Sequence, residues 1–270
     1  MAEDDNKKAL ALIRAGTELA GSAVSGALGF FAAGPAGAAA ASVAGAAITR
    51  GSVKLIGDFA DRQLSSKEQE RVGATAALAL NKISKKSENG EHLREKNFFE
   101  PSDGARSEAE ELLEGTLRQA REEYEEKKLQ FLGNFYSNLV FSPGVTSNEA
   151  NYYLRLFDNL TYRQFCVICI VFILPYHVPY QNIRETDYRG YKGPLNAEMV
   201  SLLQEIYDLN DKGVVACKAQ GDGYSALLGW HDVVPRSLEL TGLGERLQTL
   251  FMAGGSLTTS DLDLVADKLR

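Results

Sequence analysis

The chain has 270 residues and a formal net charge of −7, with 44% hydrophobic and 24% charged residues. This is the composition of one large folded domain or two modest ones, and the acidic balance excludes a protein coated with positive charge for nucleic acid. Three cysteines exclude a disulfide-stapled secreted scaffold, and three histidines without a partner motif argue against a hydrolytic or metal enzyme. We therefore expect neither catalytic activity nor a cofactor.

The N-terminal part contains a long segment without charge. Between Glu18 and Arg50 lie 31 residues, of which 13 are Ala and 6 are Gly. A straight helix of that length spans about 46 Å, more than the ~30 Å hydrocarbon core of a bilayer requires. Acidic residues directly after Met1, and the length of the segment, argue against a secretory signal peptide.

Small side chains recur at every fourth residue of this segment. On a helix they form one stripe, which lets backbones approach closely. Gly34-Pro35 interrupts the stripe, and because proline removes a helical hydrogen bond we expect a kink or a helical hairpin there. The stripe, predicted to pack channel helices, consists of Ser25, Gly29, Ala33, Gly37, Ala41, Gly45 and Thr49.

Two interpretations of the N-terminal segment, residues 1–57, stay open. In the first, it contacts a membrane and forms the channel element. In the second, it is a Gly/Ala hairpin packed inside a soluble helical oligomer, because Ala and Gly are only weakly hydrophobic. Both interpretations require close helix association, and we expect it between chains.

Residues 58–145 are predicted to form a helical oligomerisation region. Ser65 and Glu68 form a capping box that begins a helix. A polar linker is expected over 84–104, followed by one long helix from Ser107 to Phe141. The charged run at 121–128 inside that helix is typical of a solvated face with i,i+4 ion pairs.

Residues 146–252 are predicted to form a C-terminal α/β domain, and residues 253–270 a tail helix. Capping boxes that begin at Thr146 and Thr161, and a cap at Asn196, predict three helices. Cys166 and Cys169 lie in the second of these, which is apolar on every face, so we interpret them as core residues rather than a metal or redox site.

Short strands complete this domain, at Val214–Cys217, Ala226–Trp230 and Ser237–Leu240. Two helices, a two-stranded wing and a final helix resemble a winged-helix domain. Acidic residues on the outer face of the helix after Asn196 argue against duplex DNA. The expected fold class is mainly α: a Gly/Ala-rich N-terminal helical hairpin, a long helical middle and a winged-helix-like C-terminal α/β domain.

One loop of this domain interleaves cations with aromatic rings. Aromatic faces stack on unpaired bases while cations contact phosphates, so the pattern is typical of a single-strand or nucleotide site. A solvated loop is the alternative, because Glu185 and Asp187 leave the stretch only one charge positive. The candidate ligand-binding residues are Arg184, Tyr188, Arg189, Tyr191, Lys192 and, near the wing, Lys218.

Four short segments of the middle and C-terminal parts carry a family resemblance: Glu111–Thr116, Tyr124–Phe135, Asn151–Leu156 and Leu160–Gln164. They resemble a family of bacterial anti-phage defence membrane effectors of the Hailong type. The resemblance spans roughly Glu108 to Phe251 and contains no catalytic motif. It implies a homo-oligomeric channel that is held closed by single-stranded DNA oligomers, which a partner nucleotidyltransferase makes.

The sequence therefore predicts a membrane-active effector, a homo-oligomer such as a tetramer, whose C-terminal domain senses or is inhibited by a ligand. We expect it in the bacterial inner membrane when active, and in the cytoplasm or at the membrane at rest. The alternative is a soluble adaptor whose winged-helix domain binds protein.

Overall fold

The computed structural model describes residues 64–101, 106–176, 180, 182–218, 223–253 and 257–270. The predicted N-terminal hairpin and its stripe of small residues lie outside these residues. The described chain is mainly helical, with a small antiparallel sheet near its C-terminus. It divides into two compact units, the first ending at Asn159 and the second beginning at Leu160.

The described residues of the first unit form four α-helices. The first, second and fourth each begin at a capping box. In each box, the Ser or Thr side-chain oxygen accepts from the backbone N–H of a Glu three residues later, and the Glu carboxylate accepts from the backbone N–H of the Ser or Thr. The predicted helix starts at Ser65 and Thr146 are thereby confirmed. The helices are α1 (Ser66–Glu88), α2 (Glu108–Glu122), α3 (Leu129–Leu139) and α4 (Ser147–Asp158).

Helix α3 forms the centre of this unit, and nearly every one of its side chains is buried. It passes close to α1 at Gly133, where an added Cβ would lie 2.7 Å from the Cβ of Leu78. Helix α4, which we expected in the C-terminal domain, packs within the first unit along α2, where Gln119 donates to Asp158 (2.7 Å).

The single helix predicted from Ser107 to Phe141 is wrong. The chain leaves the helical conformation at Glu123 (ψ 120°) and makes a 3-10 turn at Glu126–Lys128 before α3 begins. At the break, Glu123 and Lys128 form an ion pair of 2.6 Å, and each side chain is only 3% exposed. The solvated face predicted for this run is therefore wrong for these two residues.

The linker predicted over 84–104 is partly ordered structure. Helix α1 continues to Glu88, and a 3-10 turn buries Phe98 and Phe99. Arg94 stabilises the turn: its guanidinium lies 3.9 Å from the Phe98 ring centroid and donates to the carbonyl of Val145 (2.7 Å).

In the second unit, the described residues form four α-helices and three strands. The helix starts predicted at Thr161 and Asn196 are confirmed by side-chain caps at both residues. The helices are α5 (Tyr162–Ile173), α6 (Ala197–Asp211), α7 (Gly242–Leu247) and α8 (Thr259–Ala266), and the strands are β1 (Val215–Lys218), β2 (Tyr224–Ser225) and β3 (Leu238–Leu240).

The sheet is antiparallel with the order β2-β1-β3. The strand predicted at Ala226–Trp230 is wrong: β1 pairs with an earlier segment, Lys218 opposite Tyr224 and Cys217 opposite Ser225. The chain then turns away, because Asp232 accepts the Leu228 N–H (2.9 Å) and a 3-10 turn follows.

The core of this unit surrounds α5, whose Phe165 ring lies 6.1 Å from that of Phe251. The tail helix α8 belongs to the same core, since the hydroxyls of Tyr162 and Tyr180 donate to Asp261 and Asp263 (3.0 and 3.1 Å). Among the described residues, no single helix has the length and apolar character needed to cross a bilayer, and α4 and α5 meet that requirement only jointly, as a bent pair.

Candidate ligand-binding surfaces

The loop that carries five of the predicted ligand-binding residues connects α5 and α6, and backbone hydrogen bonds fix it at several points. The Arg184 N–H donates to the carbonyl of Leu269 (2.8 Å), and its own carbonyl accepts from the Arg236 N–H (3.0 Å). The Tyr188 N–H donates to the carbonyl of His231 (2.9 Å). The part of the loop around Arg184 and Tyr188 is therefore held by the C-terminal part of the chain.

The aromatic and cationic side chains of this loop contact one another. The Arg184 guanidinium lies 4.9 Å from the Tyr188 ring centroid and 4.7 Å from that of Tyr191, and the two rings meet edge to face. Tyr188 is buried, and burial raises the pKa of its phenol to about 12. Its hydroxyl has no hydrogen-bond partner within the described part of the chain. The interleaved pattern thus forms an internal stack around Arg184.

Arg189 is also paired within the loop's surroundings. Its Nε lies 2.5 Å from Oδ1 of the buried Asp232. That hydrogen bond is the main reason why the pKa of Asp232 is lowered, and the bond from the Leu228 N–H adds to it. Lys192, in contrast, is exposed and has no ion pair with any residue described.

Lys218, the sixth predicted residue, lies at a separate open groove of about 540 Å³. The groove runs between the C-terminal end of α5 and the sheet. Its charged side chains are Lys218 and Arg236, with Glu239 and Glu245. Lys218 lies 3.7 Å from Glu239, a loose contact with both side chains partly in solvent.

Three exposed aromatic rings line this groove. Phe172, Tyr176 and Tyr224 are 41%, 80% and 63% exposed, although large apolar side chains are usually buried. Sequence reasoning missed Phe172, Tyr224 and Arg236 as site residues. A signal existed for Tyr224, because the correct hairpin register places it opposite Lys218 and directly opposite residues interact.

The cysteines of α5 have no site around them. Burial raises the pKa of the Cys169 thiol to about 11, so it stays protonated at neutral pH and is a poor nucleophile or metal ligand. No cluster of three or more His, Cys, Asp and Glu side chains that could hold a metal ion occurs in the part of the chain that the structure describes.

Comparison with known proteins gives no relative. No protein-family profile, no curated protein and no solved structure matches the chain.

Proposed function

We propose that this chain is a membrane-active effector whose second unit binds a short anionic ligand with stacking bases, such as a single-stranded DNA oligomer. The observation that carries the proposal is the groove beside α5, where exposed aromatic rings alternate with cations. In this proposal, ligand binding acts on a membrane through the N-terminal segment, which carries no charge for 31 residues.

The chemistry of the groove favours a ligand held mainly by stacking. Tyr176 and Tyr224 expose most of their rings, which can contact base faces, while Lys218 and Arg236 can contact phosphates. The carboxylates of Glu239 and Glu245 offset those two cations. We therefore expect a short oligomer or nucleotide, and a weak dependence of affinity on salt, since few counterions are released.

The winged-helix resemblance is retained as part of the proposal. The order of elements supports it, because two helices, α5 and α6, are followed by a three-stranded antiparallel sheet and a further helix. The outer face of α6 is acidic and already paired, with Glu205 bound to Arg163 and Asp208 to Lys212. This supports a ligand in the groove rather than duplex DNA on α6.

In this proposal residues 1–57 form the channel element of a homo-oligomer, such as a tetramer, in the bacterial inner membrane. At rest the oligomer is cytoplasmic or membrane-associated and is held closed by the ligand. The loop from Arg184 to Lys192 supplies a second ligand contact through Lys192. By the family resemblance alone, a partner nucleotidyltransferase makes the DNA oligomer.

The test is binding of a fluorescent single-stranded DNA decamer, measured by anisotropy on the full chain. Replacing Tyr176 and Tyr224 together by Ala should weaken binding at least about thirtyfold, because each of the two stacked bases contributes ~1–3 kcal/mol. Lys218→Glu should weaken it as well. Tyr152→Ala, which removes an exposed tyrosine of the first unit, is the matched control. Equal affinity in all four proteins would remove the groove as the site.

A soluble adaptor is the second candidate, and a shallow depression at the start of α6 favours it. Leu195, Ala197 and Val200 line it beside Ser201 and Gln204, so its surface is largely apolar. Exposed apolar area of this kind is typical of protein docking. In that case the second unit binds protein, and the Gly/Ala segment is an assembly surface.

A further inference from the structure

The composition of the connection between α2 and α3 favours a continuous α-helix, but the structure has a break there. Residues 123–128 read Glu-Tyr-Glu-Glu-Lys-Lys, with neither glycine nor proline, and all of them are tolerated in helices. Glu123 and Glu125 nevertheless have ψ values of 120° and 86°. Because the local sequence favours continuation of the helix, side-chain contacts must hold the segment in the broken form.

The ion pair between Glu123 and Lys128, which we call the latch, is the strongest such contact. Both side chains are buried, the Lys128 Nζ lies 4.6 Å from the Phe157 ring centroid, and a Glu123 oxygen accepts the Glu125 N–H (2.9 Å). In a continuous helix, residues 123 and 128 point about 140° apart around the axis. The latch therefore exists only when the helix is broken.

The break folds α3 back along α2. The Tyr136 hydroxyl donates to the carbonyl of Ala109 (3.2 Å), whereas one straight helix would place these residues about 40 Å apart. Straightening would also separate α3, in which Phe131, Leu132 and Phe135 are buried, from α2. A second copy of the chain is the partner that offers the same surfaces to a separated α3.

We propose that the latch selects between two arrangements of this chain. In the closed form, α2 and α3 are a hairpin within one chain. In the exchanged form, residues 108–139 make one helix, and α3 packs on the equivalent helices of a second copy together with α4, which follows it after a short connection. Such an exchange preserves every contact except those of the hinge, so the hinge residues decide the balance.

The latch is suited to this role because its two forms differ in solvation. Closed, two charges are withdrawn from water, and their mutual attraction compensates for the lost hydration only while both are present. Exchanged, both charges are hydrated, and residues 123–125 gain helical hydrogen bonds. Removing one partner leaves a buried charge uncompensated in the closed form alone. The proposal depends neither on the ligand nor on the membrane.

The test is the distance between spin-labelled noncanonical residues at exposed positions 111 and 144 of the full chain, measured by pulsed electron resonance. An excess of unlabelled chain ensures that the measured distance joins two labels of the same chain. We expect a short distance in the wild type. Lys128→Met should raise the ratio of long (above about 40 Å) to short distances about a hundredfold, as expected when a buried charge loses its partner.

Two further variants keep the test decisive. Glu123→Lys with Lys128→Glu should restore the short distance, and Lys127→Met, the same change at an exposed neighbour, should leave it unaltered. If Lys128→Met fails to fold, Glu123→Gln leaves the Lys128 ammonium buried without its close partner and should also give the long distance. A wild-type distance in every folded single variant overturns the proposal.

Discussion

At the scale of residues, the buried hydroxyl of Tyr188 is expected to destabilise the folded state. Its hydroxyl is buried without a hydrogen-bond partner among the described residues, which costs free energy because the group has lost its water. Tyr188→Phe should therefore raise the free energy of unfolding by about 1 kcal/mol. Tyr180→Phe is the matched control, since that hydroxyl donates to Asp263, and its removal should lower the free energy by about 1 kcal/mol.

The measurement for both tyrosines is chemical denaturation followed by the fluorescence of Trp230, the only tryptophan of the chain, which lies in the second unit. If Tyr188→Phe is as destabilising as Tyr180→Phe, the Tyr188 hydroxyl has a partner, for instance an ordered water.

Asp232 should make the stability of the second unit depend on pH. Its pKa is lowered in the folded state, mainly by the hydrogen bond from Arg189, so its charge stabilises the fold above the unfolded pKa, about 4. That stabilisation is lost as the pH falls through the lower folded pKa. The difference in unfolding free energy between wild type and Asp232→Asn should therefore shrink on acidification below pH ~4.

Trp230 fluorescence again gives the measurement, because Trp230 lies two residues from Asp232. Asp211→Asn, at an exposed aspartate without an ion pair in the described chain, is the control and should show no such dependence. A difference that stays constant from pH 6 to pH 3 would mean that the charge of Asp232 does not contribute.

At the scale of elements, the close contact between α1 and α3 is open to a direct comparison. Gly133→Ala would place a Cβ 2.7 Å from that of Leu78 and 3.3 Å from the Ala79 nitrogen. We expect it to destabilise the first unit by about 1–3 kcal/mol, despite the better helix propensity of Ala. Gly73→Ala, in α1, meets nothing within 4 Å and should stabilise by about 0.5–1 kcal/mol.

Hydrogen exchange of the α3 amides measures this difference within the first unit. If both glycine variants protect those amides equally, the helices have room to move apart and the close approach is not a constraint.

Helix starts were predictable from the sequence, whereas the break between α2 and α3 was not. The capping boxes that begin at Ser65, Thr146 and Thr161 act within four residues, so their letters suffice. The break depends on Glu123 and Lys128 being buried together, which only the packed unit determines. A solvated face is therefore a weak prediction for a run of charged residues when the core can bury one ion pair of that run.

At the scale of the molecule, the predicted ligand-binding residues lie in two places, a loop and a groove. Arg184 and Tyr188 were identified by residue type, but their contact with each other appears only when the loop folds. Lys218 was identified near the wing, while Phe172 joined it through the packing of α5 on the sheet. A pattern of aromatic and cationic residues thus indicates a chemistry and leaves open whether the ligand or the chain itself satisfies it.

The last prediction concerns the unequal parts of the chain. A segment of 31 uncharged residues is costly to leave in water, yet its Ala and Gly content makes it only weakly apolar, so the cost of withdrawing it from lipid is small. Such a segment suits a switch between a sheltered and an inserted state. A ligand on the second unit shifts that switch only by its different affinity for the two states.

Removing residues 1–50 should then leave a folded chain that binds the DNA decamer and releases no dye from liposomes. The full chain, freed of ligand, should release dye, and Gly37→Leu or Gly45→Leu should abolish release by forcing helices apart. If the freed full chain leaves liposomes intact and stays in the soluble fraction of triggered cells, the adaptor replaces the channel, because an assembly surface requires no passage through lipid.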